Sequence, residues 1–440
     1  MIFSGQLTAA QHKGHVPLQF EVPPGTTRLL GKFHTTPERA PEAFFDNMVC
    51  LSLFGPKGPR GARHNNPVRD FEISAAFATP GYVPGPIDAG TWTVYMDCFR
   101  LLGPVDYRLE VIFESAPVAA PSPRAAGQVA ARGPGWYRGD LHAHTLHSDG
   151  SWDVPDLVGW ARGRKLDFMT ISDHNTTSAH AEVHALAGDD LLTIGGMELT
   201  THWGHALALG GSQIHEWRTG PVSGKSMPTL ARDIMNTRSL FVMAHPMSPG
   251  DPSCTGCRWE YADMRPGNAA LIEIWNGGPW SDYNEEGLAL FQHWLALGHR
   301  LRATAGSDIH GPEGGQGAIG FNTVHAEDLT QSAILQAVHK GRNYLSSGPR
   351  LILTAQSPDG ARGAMGDVVA PGSDFQAEWD SDIDGLTLIF SDATGQRSSQ
   401  KAAPGGAGSA SLTRATGFVM AELRDASGCL HAVTNPIFIG

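Results

Sequence analysis

Imidazole and carboxylate side chains recur between residues 140 and 310 in a pattern suited to holding several metal ions. The run opens with His142-Ala143-His144. It continues through Asp149, Asp173-His174, Glu198, His205 and His245, and closes with Asp308 and His310. Hard and borderline divalent ions take nitrogen and oxygen donors of these kinds. Water bound at such a centre becomes acidic enough to supply a nucleophile near neutral pH, which is the chemistry of ester hydrolysis. Taken singly, each residue could be a hydrogen-bonded core or surface side chain. The reading rests on their accumulation, because nearly every one sits at or just after the end of a short apolar run.

His142 and His144 lie two apart on an expected strand, so they leave the same face and can share an ion. Asp140 shares that face and is placed to hold a ligand imidazole by a hydrogen bond. Ser148-Asp149-Gly150 reads as a turn that returns a carboxylate to the cluster. Asp173-His174 ends the run Phe168-Met169-Thr170-Ile171-Ser172, where charge is costly to bury unless something binds it. Glu198 follows Gly195-Gly196-Met197 and is placed to bridge two ions. His205 leads directly into Ala206-Leu207-Ala208-Leu209, which favours it as a ligand over its neighbour His202. His245 ends the run Leu240–Ala244, and Asp308 and His310 repeat the two-residue offset after Arg302–Ser307. His180 and His184, a helical turn apart, read as an exposed helix face. His147, His293 and His299 have no comparable context, whereas His215, near Trp217 and Arg218, is a loop residue within reach of a substrate. Asp173, His202 and His215 are the candidates for proton donor to a leaving group.

These side chains need a framework that gathers distant ligands onto one face. Residues 1–115 read as a small β-sandwich, with short strands such as Gln19–Val22, Thr91–Met96 and Arg108–Phe113 separated by Pro/Gly turns. Residues 116–135, opening Ala116-Pro117-Val118-Ala119-Ala120-Pro121-Ser122-Pro123, read as a linker. From 136 to 349 strands and helices alternate. The strand candidates are Phe168–Ser172, Leu191–Ile194, His205–Leu209, Leu240–Ala244, Leu271–Trp275 and Arg302–Ala305. Helices are expected over Asn284–Leu297, with an Asn cap, and over Gln331–Lys340, closed by Gly341. Such alternation implies an α/β parallel sheet or barrel. Residues 350–440 revert to strands, among them Leu386–Phe390 and Phe418–Leu423, and read as a small β domain. Thirteen of the 20 histidines fall between 142 and 310, which places the chemistry in the middle region.

The bulk properties exclude several classes. A chain of 440 residues is long enough for two or three domains. The formal net charge of -12 disfavours nucleic acid and anionic membrane as partners. The opening Met1-Ile2-Phe3-Ser4-Gly5-Gln6 lacks the marks of a signal peptide and no apolar run is long enough for a bilayer, so the cytoplasm is the default compartment. Five cysteines make too odd and sparse a set for a disulfide framework. The lone Cys254-Thr255-Gly256-Cys257 reads as a loop, with a disulfide or redox pair, or a metal site, as alternatives.

Together the residues resemble the PHP family, named for polymerase and histidinol phosphatase. The resemblance lies in Asp140-Leu141-His142-Ala143-His144-Thr145, Ser148-Asp149-Gly150, Ser172-Asp173-His174, Gly196-Met197-Glu198, Ala244-His245-Pro246 and Gly306-Ser307-Asp308-Ile309-His310. Trp203-Gly204-His205 and Glu273-Ile274-Trp275-Asn276-Gly277 resemble the branch named after the carbaryl hydrolases. The resemblance implies a distorted (β/α)7 barrel flanked by the two β regions. It also implies two or three divalent ions, manganese first, with zinc or iron as alternatives. His142, His144, Glu198 and Asp308 would hold the first ion. Glu198, His205 and His245 would hold the second, and Asp149, His174 and His310 the third. Ions sharing Glu198 would sit close enough to hold a hydroxide between them.

The substrate expected is a small-molecule ester. The loops beside the ligands carry Trp203, Trp217, Trp259, Trp275 and Trp280, with Arg218, Lys225 and Arg258 as the main cations. An aromatic mouth with few cations favours a small organic phosphodiester over a monoester dianion, which usually takes several donors such as Arg. A carbamate or carboxylic ester comes second and a phosphomonoester third. A metal-binding scaffold without catalysis is the reading from a different class. Oligomeric state is not legible in the sequence.

Overall fold

In the structure, a computed structural model describing residues 1–40, 43–117, 125–264, 266, 269–401 and 406–440, the chain up to Glu114 forms two four-stranded antiparallel sheets. Period-two burial drives their packing: in Gly14–Val22 the side chains of Leu18, Phe20 and Val22 turn inward while Gln19 and Glu21 stay exposed. Their facing surfaces enclose Trp92, Val94, Leu109 and Val111. Residues 118–124 of the stretch read as a linker lie outside the described residues, and 125–134 follow without strand or helix.

The middle of the chain supplies seven strands in spatial sequence: β1 (Gly135–Asp140), β2 (Phe168–Ile171), β3 (Leu192–Thr200), β4 (His205–Leu209), β5 (Leu240–Met243), β6 (Leu271–Asn276) and β7 (Arg302–Gly306). Strands β1 to β3 run parallel to one another, as do β5 to β7. The expected all-parallel alternation fails at β4, which pairs antiparallel with both β3 and β5. Only Thr201-His202-Trp203-Gly204 separates β3 from β4, far too little chain for a crossover helix, so the connection is a hairpin. Beyond the strand ends, a parallel bridge between Ala143 and Ile309 and the hydrogen bond from Asp308 N to His142 O (2.8 Å) draw the first and last of the seven together.

The architecture is mixed α/β and rich in sheet, with five α-helices among the described residues. The helix Asp282–Ala296 is capped by Ser281, whose side chain accepts from Asn284 N, rather than by Asn284 itself. Asn284 is buried inside the helix, where it accepts from Asn276 N (3.0 Å) and donates to Asn276 O (3.1 Å), pinning the end of β6. Gln331–Lys340 is capped by Thr330 and ends at Gly341, as the pattern predicts; φ there is 76°, a conformation that suits glycine. The large sheet does not stop at Pro349. Asn343–Ser346 pairs with Leu430–Thr434, and the sheet continues through Phe418–Arg424 and Thr387–Asp392. A third four-stranded sheet, built from Arg350–Leu412, packs on this extension around Leu353, Phe375, Trp379 and Phe390. Among the described residues no helix is long and apolar enough to cross a membrane.

Candidate metal centre

The candidate ligand side chains meet at one end of the seven-stranded sheet. His142 and His144 follow β1, His174 follows β2, Glu198 lies near the end of β3, and His245 and Asp308 follow β5 and β7. His205 is the first residue of β4, and the antiparallel direction of that strand brings its start, paired with Thr200, to the same end as its neighbours' finishes. The hairpin that departs from the expected topology is thus what places this imidazole.

Glu198 is central. Its carboxylate is fully buried; Oε1 lies 3.0 Å from His205 Nδ1 and 3.2 Å from His245 Nε2. Oε2 lies 3.2 Å from His142 Nε2, 3.3 Å from His144 Nε2 and 3.0 Å from His174 Nδ1, yet makes no aligned hydrogen bond. Asp308 Oδ1 sits 2.9 Å from His144 Nε2 and 3.3 Å from His142 Nε2. On the other side, Asp149 Oδ1 faces His174 Nε2 (3.4 Å) and His310 Nε2 (3.2 Å). Four overlapping groups each bring their ligand atoms within 4.8 Å of one another: His144, Asp149, His174 and His310; His142, His245 and Asp308; His142, His144 and Glu198; and His174, Glu198 and His205.

The donor set fits divalent cations. Nε2 of His142 and Nε2 of His144 face each other at 3.0 Å, which two neutral acceptors tolerate only with a proton or cation between them. His205 Nε2, buried, has no hydrogen-bond partner. Burial alone would push the Glu198 carboxyl up, but the imidazoles of His174, His142 and His205 outweigh it and hold it well below the usual carboxylate range. In the same way burial opposes protonation of His142, yet Asp308, Glu273 and Glu198 hold its imidazolium well above the ordinary range. Desolvated lone pairs and carboxylates packed this closely need positive charge among them. All the donors are nitrogen or oxygen, a set compatible with manganese, zinc or iron.

A surrounding layer orients the imidazoles. Glu273 accepts from His142 Nδ1 (3.0 Å), His245 N (3.1 Å) and Asn276 Nδ2 (3.1 Å). His174 Nδ1 is bonded to Thr200 Oγ1, and His245 Nδ1 donates to Cys257 O (3.2 Å). A carbonyl or carboxylate on one ring nitrogen fixes the tautomer that leaves the other free for a metal. Two ligands lie at positive φ, His245 at 25° and Asp308 at 47°, backbone strain of about 1–3 kcal/mol each that surrounding hydrogen bonds must sustain. Gly306 is required at the end of β7, because a Cβ there would sit 2.2 Å from Glu273 Oε1 and 2.3 Å from His142 Cβ.

Several residues take other places than their sequence context implied. Asp140 does not hold an imidazole. Its Oδ1 accepts from Ser307 N (2.9 Å) and His142 N (3.2 Å), and its Oδ2 from Ser307 Oγ (2.5 Å), tying β1 to β7. Asp173 accepts from Thr145 N (2.8 Å), Thr145 Oγ1 (2.7 Å) and Ser148 Oγ (2.7 Å), holds the turn that carries Asp149, and does not line the pocket over the ligands. His202 is buried with its ring centroid 4.6 Å from those of both His15 and Phe99, and His215 is buried elsewhere; neither lines the pocket over the ligands. His180 is buried rather than on an exposed face, with Nε2 2.7 Å from Gly196 O. Trp217, Trp259 and Trp275 are core residues, Trp280 packs on that core, and exposed Trp203 lies under the Lys13 ammonium (4.1 Å), so among the described residues no aromatic mouth forms. Arg218 pairs with Glu216 (2.7 Å), Lys225 with Asp233 (2.6 Å) and Arg258 with Glu286 (3.7 Å).

The pocket over the ligands has a volume of about 250 Å³, and its walls come from elements that sequence patterns left unconnected to the chemistry. One wall is the N-terminal sandwich, through Met48, His64, Asn65 and Arg100; the ring of buried His64 lies 4.5 Å from that of His174. The other is the loop Ser253–Cys257, in which Cys254 and Cys257 form a disulfide, where a plain loop was the leading expectation. No local signal marks the sandwich residues, because only the folding of the N-terminal region onto the sheet brings them there. A larger hollow, about 690 Å³, lies on the C-terminal sheet, but it gathers none of the imidazoles, and its Arg342 and Asp367 pair with each other (2.6 Å).

No family model and no curated protein matches the chain. Among solved structures it is similar to a two-domain protein from Bacteroides vulgatus that contains a predicted PHP-like metal-dependent phosphoesterase. That likeness has 17% identity and a TM-score of 0.40, covering 71% of this chain and 99% of the other. It is also similar to an amidohydrolase from Chromobacterium violaceum solved with sulfate and without metal, at 18% identity and a TM-score of 0.31, covering 40% of this chain and 88% of the other. Likenesses this distant carry no weight for the chemistry, which stands on the side-chain geometry.

Proposed function

We propose that the chain is a divalent-metal-dependent hydrolase of phosphoesters, with a small organic phosphodiester as the favoured substrate. The observation that carries this reading is the buried Glu198 carboxylate, one oxygen facing His205 and His245 and the other facing His142, His144 and His174. His142, His144, Glu198 and Asp308 would hold one ion, Glu198, His205 and His245 a second, and Asp149, His174 and His310 a third. Manganese is favoured and zinc or iron are alternatives. When bound, such ions lower the pKa of water and stabilise charge on an ester's oxygens.

The chain's own residues do the rest. Glu273, Thr200 and the Cys257 carbonyl hold three imidazoles in register. The small, walled pocket limits substrate size. Few cations line it, which suits the single charge of a diester better than a monoester dianion. On this reading the curled sheet is the distorted (β/α)7 barrel of the PHP family, of the branch named after the carbaryl hydrolases.

The test is parallel turnover of bis(4-nitrophenyl) phosphate, 4-nitrophenyl phosphate and a 1-naphthyl carbamate by manganese-loaded protein and by Glu198→Gln. The diester should be fastest, and Glu198→Gln should lose both stoichiometric metal and turnover. Faster carbamate turnover would replace the phosphoester reading. Stoichiometric metal with no hydrolysis of any ester would point to a scaffold, and wild-type rates in Glu198→Gln would remove it as the shared ligand.

A further inference from the structure

We propose that Arg100, reaching the metal-ligand pocket from the N-terminal sandwich, is its substrate-binding cation, so that the site selects esters that carry a negative charge. This rests on the hydrolase reading and narrows its substrate class to anions.

Arg100 ends the strand Gly90–Arg100 and lines the same pocket as Glu198, His205 and Asp308. Its guanidinium is held in place on two sides. Nε donates to Asp46 O (2.7 Å), and Nη1 donates to Pro252 O (2.9 Å) and Ser253 O (3.3 Å). The ring of Phe45 lies 5.2 Å from the guanidinium carbon and backs its plane. These partners are carbonyls and an aromatic face, so none neutralises the charge. Among the described residues no carboxylate comes within ion-pair distance of Arg100: the two acids whose field reaches it, Asp46 and Asp251, are themselves paired with Arg39 (2.6 Å) and Lys13 (2.5 Å), and no hydrogen bond is made by its Nη2. The other cations expected to read a substrate, Arg218, Lys225 and Arg258, are each spent on an acid.

An arginine fixed through two of its nitrogens, with the third free and the charge unpaired, is preorganised to grip a phosphoryl or carboxylate oxygen. Its place decides which oxygen. The candidate ligand carboxylates of Glu198, Asp308 and Asp149 line the same pocket, so an ester whose reacting centre meets the ions would have Arg100 within the same small space to meet its non-reacting anionic oxygen. Asn65, exposed at φ 42° in the same wall, adds an uncharged amide. A neutral carbamate or triester has no charge for the guanidinium to meet.

The test uses the metal-loaded full chain, wild type against Arg100→Gln and Arg100→Lys. It compares anionic bis(4-nitrophenyl) phosphate with the neutral diethyl 4-nitrophenyl phosphate, and measures inorganic phosphate binding by calorimetry. Arg100→Gln should raise KM for the anionic diester roughly 10- to 100-fold, as expected for a lost charge-assisted hydrogen bond, and weaken phosphate by a similar factor. The neutral triester should suffer at least about tenfold less, and Arg100→Lys should recover part of the loss. Equal losses on both esters would mean that Arg100 merely clamps the Pro252–Ser253 backbone, overturning the proposal. So would an unchanged phosphate affinity, or a wild-type protein that binds no phosphate. Should the wild type hydrolyse no ester, the hydrolase reading falls, while the phosphate measurement still decides the role of Arg100.

Discussion

The substitution Glu273→Gln isolates the layer behind the ligands, because it changes no ligand and keeps side-chain volume. Both carboxylate oxygens of Glu273 face donors: Oε1 takes His142 Nδ1 at 3.0 Å, and Oε2 takes His245 N at 3.1 Å and Asn276 Nδ2 at 3.1 Å. An amide offers one acceptor and one donor, so in either orientation its NH2 points at an N–H. Rotating Asn276 relieves one conflict, but the backbone N–H of His245 cannot turn. If the amide oxygen stays with His245, His142 loses the partner that fixes its tautomer. Losing such a support typically weakens metal affinity about 10- to 100-fold, which is about 1.4–2.8 kcal/mol. The orphaned buried donor costs the metal-free fold about 1–3 kcal/mol as well. Competition with a chelator of known affinity, using zinc as the probe ion, reads the first effect, and the melting temperature of metal-free protein reads the second. Unchanged affinity in a folded Glu273→Gln protein would refute the idea that this carboxylate orients His142 for a cation.

Three further perturbations probe other parts of the structure. Burial depresses the His180 imidazole from 6.5 to about 4, so the native state refuses a proton that the unfolded chain accepts. Stability from this group is whole above pH 6.5 and is lost as pH falls towards 4, by about 3 kcal/mol. Urea unfolding of metal-free protein at pH 7 and pH 4.5 should therefore show a steeper fall for wild type than for His180→Gln, and parallel falls would dismiss this group as the cause. Reducing the Cys254–Cys257 disulfide should loosen the carbonyl that holds His245 Nδ1 and weaken metal binding. Because Gly256, at φ 84°, lets this loop approach the chain beside His205, where a Cβ would sit 2.0 Å from Thr201 O and 3.2 Å from His205 Nε2, a Gly256→Ala change should act in the same direction, and chelator competition giving identical affinities for oxidised, reduced and G256A protein would show that the loop is only a cover.

How much of this was legible beforehand depends on the range of the interactions. Most of the candidate ligands are legible because they flank a short apolar run, His205 at its start and the others at its end, a local pattern. Helix ends were nearly as readable, Gly341 above all, whereas the cap before Asp282 was misread because Asn284 is a good capping residue with a better tertiary use on Asn276. The aromatic mouth failed for a related reason. Periodicity says that a tryptophan is apolar, but not whether the nearest apolar volume is a pocket or the core, and Trp217 and Trp275 went to the core.

Residue types and local spacing thus determined the donor chemistry, the strand candidates and the kind of ion the chain is suited to hold. Tertiary structure alone decided that Asp173 and Asp140 are braces, that Glu273 stands behind His142, that β4 reverses so that His205 arrives with the others, and that Arg100 and the Cys254–Cys257 loop wall the pocket. The physical reason is that a side chain's type sets what it can bond, whereas its partner is set by which distant backbone segments pack together. Arg100 and Ser253 are 153 residues apart, and no local pattern encodes their meeting.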